Sequence, residues 1–138
     1  MHFEINDQTV LRDIQKTFSN FYPFLSLSFY KIPHKKYESS SREKPIDLNK
    51  KIGELKKTHI SCVIEIQPGY SVTEVEKEFQ DRIGLSIQIL KKEKNGWEET
   101  TGLDNLSIKD LNILGRNASD EFIVEDYNES FEAEAEVE

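Results

Sequence analysis

Apolar residues in this chain recur first at helical and then at alternating spacing, and the pattern occurs twice. Leu11, Ile14, Phe18 and Phe21 fall on one face of a helix, and Leu25, Leu27 and Phe29 then alternate with Ser26, Ser28 and Tyr30 as a strand does. The same change of period returns where Val72, Val75, Phe79 and Ile83 give way to Leu85, Ile87 and Ile89. Residues 2–31 and 63–91 align throughout. At an offset of 61, Glu4 meets Glu65, Ile5 meets Ile66 and Phe18 meets Phe79, and at an offset of 60 the alternating segments coincide.

Short signals mark the ends of these elements. Phe3 and Ile5 share one face of a strand over 2–6, and Asp7 or Thr9 is placed to cap the helix that follows. Pro23 stops that helix, because proline drives the preceding residue out of helical backbone. Over 60–66, Ile60, Cys62, Ile64 and Ile66 alternate with Ser61, Val63 and Glu65, and Pro68-Gly69 then turns the chain. Ser71-x-x-Glu74 is a capping box, and Gly84 suits the left-handed position just past the helix. Asn95-Gly96 predicts a two-residue hairpin turn from the strand Leu85–Lys92 to a return strand Trp97–Thr101. Ser107-x-x-Asp110 opens a short helix carrying Ile108, Leu111 and Leu114, which Gly115 ends.

The predicted order is strand, helix, strand, long connection, strand, helix, strand, then an added strand and short helix. Duplicated strand-helix-strand units in this order point to an α+β, ferredoxin-like two-layer sandwich occupying residues 1–116 as a single domain. The alternative is a mixed sheet of different strand order, in which the added hairpin inserts rather than extends an edge. The connection over 33–59 is longer than a compact domain usually leaves unstructured. Leu48, Ile52 and Leu55 have helical spacing, so DLNKKIGEL is expected to dock as an irregular helical turn despite Gly53.

Charge divides along the chain. Of the 26 acidic residues, nine lie in the last 22 positions, which hold no lysine or arginine, so the net −8 leaves the first 116 residues at +1. The segment 117–138 thus reads as an acidic, disordered tail with too little to bury. Opposite to it in sign is the connection, where residues 31–57 carry nine basic and four acidic groups. No apolar run approaches a membrane span of roughly 18 residues, and MHFEINDQ resembles no secretory leader, so a cytoplasmic location is expected. Two Asn-x-Ser triplets, at Asn117 and Asn128, are discounted on that reading. The lone Cys62 forms no internal disulfide and fits a reducing compartment.

Little in the chain points to catalysis. His2, His34 and His59 are too scattered for a local metal motif, and Cys62 shares strand phase with Ile60, Ile64 and Ile66, as a small core residue would. Glu74, Glu76, Glu78 and Asp81 lie opposite an apolar helix face, where solvation accounts for them. No phosphate-binding glycine loop, nucleophile elbow or His-Glu-x-x-His is present. No cofactor, metal or catalytic residue is assigned, and an enzyme ranks third among the readings.

The leading expectation is a small protein-interaction module without catalytic activity, which binds a protein partner or itself through a strand edge or the open sheet face. That face would carry Glu4, Ser26, Ser28, Tyr30, Ser61, Val63, Glu65, Ser86, Gln88 and Leu90. Tyr30, Gln88, Leu90 and Trp97 are the candidate contacts. The alternative is nucleic-acid binding by the basic 31–57 loop, through Lys35, Lys36, Lys50, Lys51, Lys56 and Lys57. Stacking of bases on the sheet is disfavoured, since Tyr30 would be its single aromatic and Glu4 and Glu65 would repel phosphate.

The stretch FQDRIGLSIQILKK at 79–92, followed by Trp97-Glu-Glu-Thr-Thr, resembles a family of small bacterial proteins that share a Gly-Leu-x-Val/Ile-Gln strand and a Trp-x-Glu-Thr-Thr strand. The resemblance spans about a third of the chain, from Ser71 to Gly115, and carries no activity with it.

Overall fold

The second repeat forms as its end signals require. In the computed structural model, which describes residues 1–31, 44–100 and 102–127 with side chains through residue 119, α3 runs Val72–Ile83. Ser71 Oγ accepts from Glu74 N (3.1 Å) and Glu74 Oε1 accepts from Ser71 N (2.8 Å), so the predicted capping box is made in both directions. Gly84 closes the helix at φ 69°, left-handed backbone that a side chain would strain. Around it stand β1 (His2–Asn6), α1 (Leu11–Phe21), β2 (Leu25–Tyr30), α2 (Ile52–Leu55), β3 (Ser61–Glu65), β4 (Ser86–Glu93), β5 (Gly96–Glu99) and α4 (Ile108–Tyr127).

The α+β class and the two strand-helix-strand units stand, but the strands do not join one ferredoxin-like sheet. Among the described residues β1 pairs with β3, and β2, β4 and β5 form a second antiparallel sheet in that order. Each strand of the first unit therefore pairs with its own counterpart in the second. Phe3 faces Ile64 and Ser28 faces Gln88, which are their repeat equivalents, while Leu27 faces Ile89 and Phe29 faces Ile87 in exchanged positions. A pseudo-twofold axis thus passes through both sheets. The core binds them together: the Phe79 ring packs edge-on against Phe3 (5.9 Å) and against Phe29 (6.4 Å), one from each sheet.

The same twofold extends past the aligned segments. Leu11 N–H and Arg12 N–H donate to Lys50 O and Leu48 O (3.0 and 2.9 Å), and Val72 N–H and Thr73 N–H donate to Leu106 O and Asp104 O (both 3.1 Å). Ile52 N–H donates to Thr9 O as Ile108 N–H donates to Tyr70 O (2.9 and 2.8 Å). The docked turn around Ile52 is therefore the structural twin of the start of α4, with Ile52 and Ile108 both fully buried. These bonds also explain why neither Asp7 nor Thr9 caps α1. Backbone carbonyls of the connection supply acceptors for its first donors, leaving Val10 at the cap with no side-chain bond.

Asp7 serves elsewhere. Its carboxylate accepts from Ile60 N (2.8 Å) and meets His59 Nδ1 (2.5 Å), tying the end of β1 to the start of β3. The Ile60 N–H holds the Asp7 carboxyl below its ordinary range, with His59 adding to the effect against a partial desolvation. A carboxyl lowered on folding stabilises above its unfolded value, near 3.9, and loses that contribution as pH falls through the lower folded value. Asp7→Asn is therefore expected to be less stable than the parent at pH 7, with the gap closing at acid pH. Urea titrations at pH 7 and at about pH 2.5 check this, and a gap that stays constant would contradict it.

Three local expectations are corrected. Phe21 is exposed, because Tyr22 takes the buried place beside Phe18 at 5.6 Å. The helix opened by Ser107, whose Oγ accepts from Asp110 N (3.0 Å), does not stop at Gly115 but continues to Tyr127. The expected tail over 117–138 overlaps the end of this helix, and 128–138 lie outside the described residues. Gly115 serves close approach instead. A Cβ there would sit 2.7 Å from Phe24 O and 2.9 Å from Phe24 Cβ.

Candidate partner-binding surface

Two of the four candidate contacts are not on the surface. Tyr30 is 4% exposed and Gln88 2%, and Ser26 and Ser86 beside them are buried too, so the face of β2 and β4 opposite Leu27 and Ile89 is covered rather than open. Gln88 Nε2 lies 3.2 Å from Ile89 O and 3.5 Å from Thr100 Oγ1, as a buried amide must to satisfy its donors. Leu90 is half-buried. A signal for this burial was present in the sequence: Ser26, Ser28, Tyr30, Ser86, Gln88 and Leu90 include no charge, whereas the exposed face of β1 and β3 carries His2, Glu4 and Glu65.

The outer edge of β2 is closed as well. Ser19 Oγ donates to Leu25 O (2.9 Å), Gln15 Nε2 to Leu27 O (3.0 Å) and Ile46 N–H to Phe29 O (2.7 Å), so successive outward carbonyls are all engaged. Among the described residues the unpaired edge of the larger sheet is β5. There the hairpin turn is displaced by one residue, which moves every cross-strand partner by two: Glu93 pairs with Gly96 and Lys92 with Trp97, which makes Lys94-Asn95 the turn and puts Gly96, at φ 141°, on the return strand.

That register places Trp97 opposite Lys92, whose Nζ stands 5.2 Å from the ring centroid as a cation–π contact. Trp97 remains 46% exposed. Beneath it Lys91, on the face that α4 approaches, forms an ion pair with Glu93. The hairpin and Ala118 of α4 enclose an open groove of about 440 Å³, lined by Glu93 through Glu98. A smaller apolar exposure, Val63 on β3, adjoins a shallow depression bordered by Glu4 and Cys62. Burial pushes the Cys62 thiol up, with Arg82 opposing, and its Sγ lies 3.8 Å from Arg82 O.

Of the basic candidates, Lys35 and Lys36 lie outside the described residues. Lys56 is committed to the fold: its Nζ donates to Gly84 O (3.2 Å) at the C-terminal end of α3, where a cation is favoured. Lys51 pairs through its backbone with Val10 and donates from Nζ to Gln8 Oε1 (3.3 Å), while Lys50 and Lys57 are exposed. Among the described residues no three His, Cys, Asp or Glu side chains converge as a metal site requires, and no helix is long and apolar enough to cross a membrane. Comparison of the chain with protein-family models, with curated proteins and with solved structures finds no match.

Proposed function

We propose that this domain is a protein-interaction module without catalytic activity, and that its partner seats on the β5 edge beside Trp97. The observation that carries this reading is an asymmetry. One edge of the larger sheet is closed by Ser19, Gln15 and Ile46, while among the described residues the other ends in a strand with a half-exposed tryptophan beside an open groove. Exposed tryptophans are disproportionately the anchors of protein interfaces, and a bare strand edge supplies backbone donors and acceptors to a partner. Tyr30 and Gln88 drop out of the contact set because they are buried, and Trp97 becomes its centre.

The test is affinity capture of the tagged chain from its own cell lysate, with and without nuclease, alongside a Trp97→Ala variant shown by circular dichroism to be folded. A stoichiometric protein that survives nuclease and is lost from the variant is expected. Release of the captured set by nuclease would overturn the reading in favour of nucleic-acid binding through Lys50 and Lys57.

A further inference from the structure

We infer that the partner presents an extended segment bearing lysine or arginine, which adds to β5 as a further strand and lays a basic side chain on Trp97. This rests on the interaction reading above and names the chemistry of its partner.

The backbone comes first. In an antiparallel pair the residues alternate between those that exchange hydrogen bonds and those that turn their N–H and C=O groups outward. Lys92 N–H is taken by Phe24 O on the β2 side (2.9 Å), so the Lys92–Trp97 pair is of the second kind. Trp97 and, two residues on, Glu99 therefore direct their backbone groups to the free edge. The spacing is that of an incoming strand, and the Trp97 and Glu99 side chains share one face of it.

Charge selects the occupant. Glu98 and Glu99 occupy the edge itself, and the sequence from residue 117 onward carries nine acidic groups and no base. Two copies joined through β5 would bring these glutamates together, and like charges across a strand pair are destabilising. A cationic strand meets them favourably. The tryptophan is compatible with this choice: its ring takes a cation in the fold, the Lys92 ammonium, and nearly half of the side chain stays accessible to a partner's side chain.

The probes are two fluorescein-labelled heptapeptides, Lys-Val-Lys-Val-Lys-Val-Lys and Glu-Val-Glu-Val-Glu-Val-Glu, titrated into the full chain by fluorescence anisotropy and by ¹H–¹⁵N NMR. The lysine peptide is expected to bind, to shift the Trp97 indole and the amides of residues 96–99, and to slow hydrogen exchange at Trp97 and Glu99. The glutamate peptide is expected not to bind. Trp97→Ala should weaken the lysine peptide by about tenfold or more, and a Glu98→Lys/Glu99→Lys variant should weaken it independently of the tryptophan. Shifts confined to residues 120–138 would overturn the inference, since they report attraction to acid rather than strand addition. Absence of binding, or equal binding of both peptides at β5, would also overturn it. Nuclease-resistant capture that depends on Trp97 would then leave the interaction reading standing without its cationic partner, whereas nuclease-sensitive capture would remove both.

Discussion

Replacing Phe79 by alanine should cost about 3–5 kcal/mol, the range for emptying a fully buried aromatic position. For a domain whose whole stability is on the order of 5–15 kcal/mol, that removes a large share of it. The reason is placement rather than size alone. Phe79 stands on α3 between the two sheets, touching Phe3 on β1 at 5.9 Å and Phe29 on β2 at 6.4 Å. No backbone pairing joins the β1–β3 sheet to the β2–β4–β5 sheet among the described residues. Their association rests on side chains of the common core, and this ring meets both sheets. Guanidinium unfolding of Phe79→Ala and of Phe79→Leu measures the effect. The leucine variant should retain more than half of what alanine loses, and a loss below about 1 kcal/mol for alanine would show that the sheets are held by something else.

Gly115→Ala should destabilise the protein although it replaces glycine by the best helix former. Helix propensity alone favours alanine by about 1 kcal/mol. Against it stands a new Cβ placed 2.7 Å from Phe24 O and 3.3 Å from Lys91 Cγ. The Phe24 backbone cannot readily retreat, because its N–H donates to Asn112 Oδ1 (3.0 Å) and its O accepts from Lys92 N (2.9 Å). Overpacking of this kind costs about 1–3 kcal/mol, so the net sign is a loss, read as a lower denaturation midpoint. Gly69→Ala is the control, since a Cβ there meets nothing within 4 Å, and it should change stability by less than about 0.5 kcal/mol. A stabilised Gly115→Ala would mean that α4 does not pack against the turn before β2.

The repeat was legible as far as its spacing is regular. It was lost where the intervening chain changes length. Asn49, Ile52, Glu54 and Leu55 match Asn105, Ile108, Asp110 and Leu111 at an offset of 56, and the structure shows both segments making the same backbone bonds to Thr9 and Tyr70. An alignment at 61 and 60 does not reach them, because a connection stands between β2 and α2 where a hairpin stands between β4 and α4. Trp97 is exposed, as a contact residue has to be. Tyr30 and Gln88 were misplaced, because alternation tells which residues share a face and not whether the second face is covered.

By itself the sequence determined where α1, β2, α3 and β4 lie, the inward positions Leu11, Ile14 and Phe18 and their counterparts Val72, Val75 and Phe79, and the caps at Ser71 and Gly84, since these depend on residues within a turn or two of one another. Only the tertiary structure decided which strands pair, because β1 is as well made to join β2 as β3 in its own residues, and the choice lies in packing partners some sixty positions away. It also decided the edges. Ser19 and Gln15 on α1 and Ile46 in the connection close β2, and a one-residue displacement of the hairpin turn sets Trp97 opposite Lys92 on the strand left open among the described residues. The bonds that close the β2 edge depend on how α1 and the connection dock against the strand, a three-dimensional fit that periodicity and turn signals do not encode.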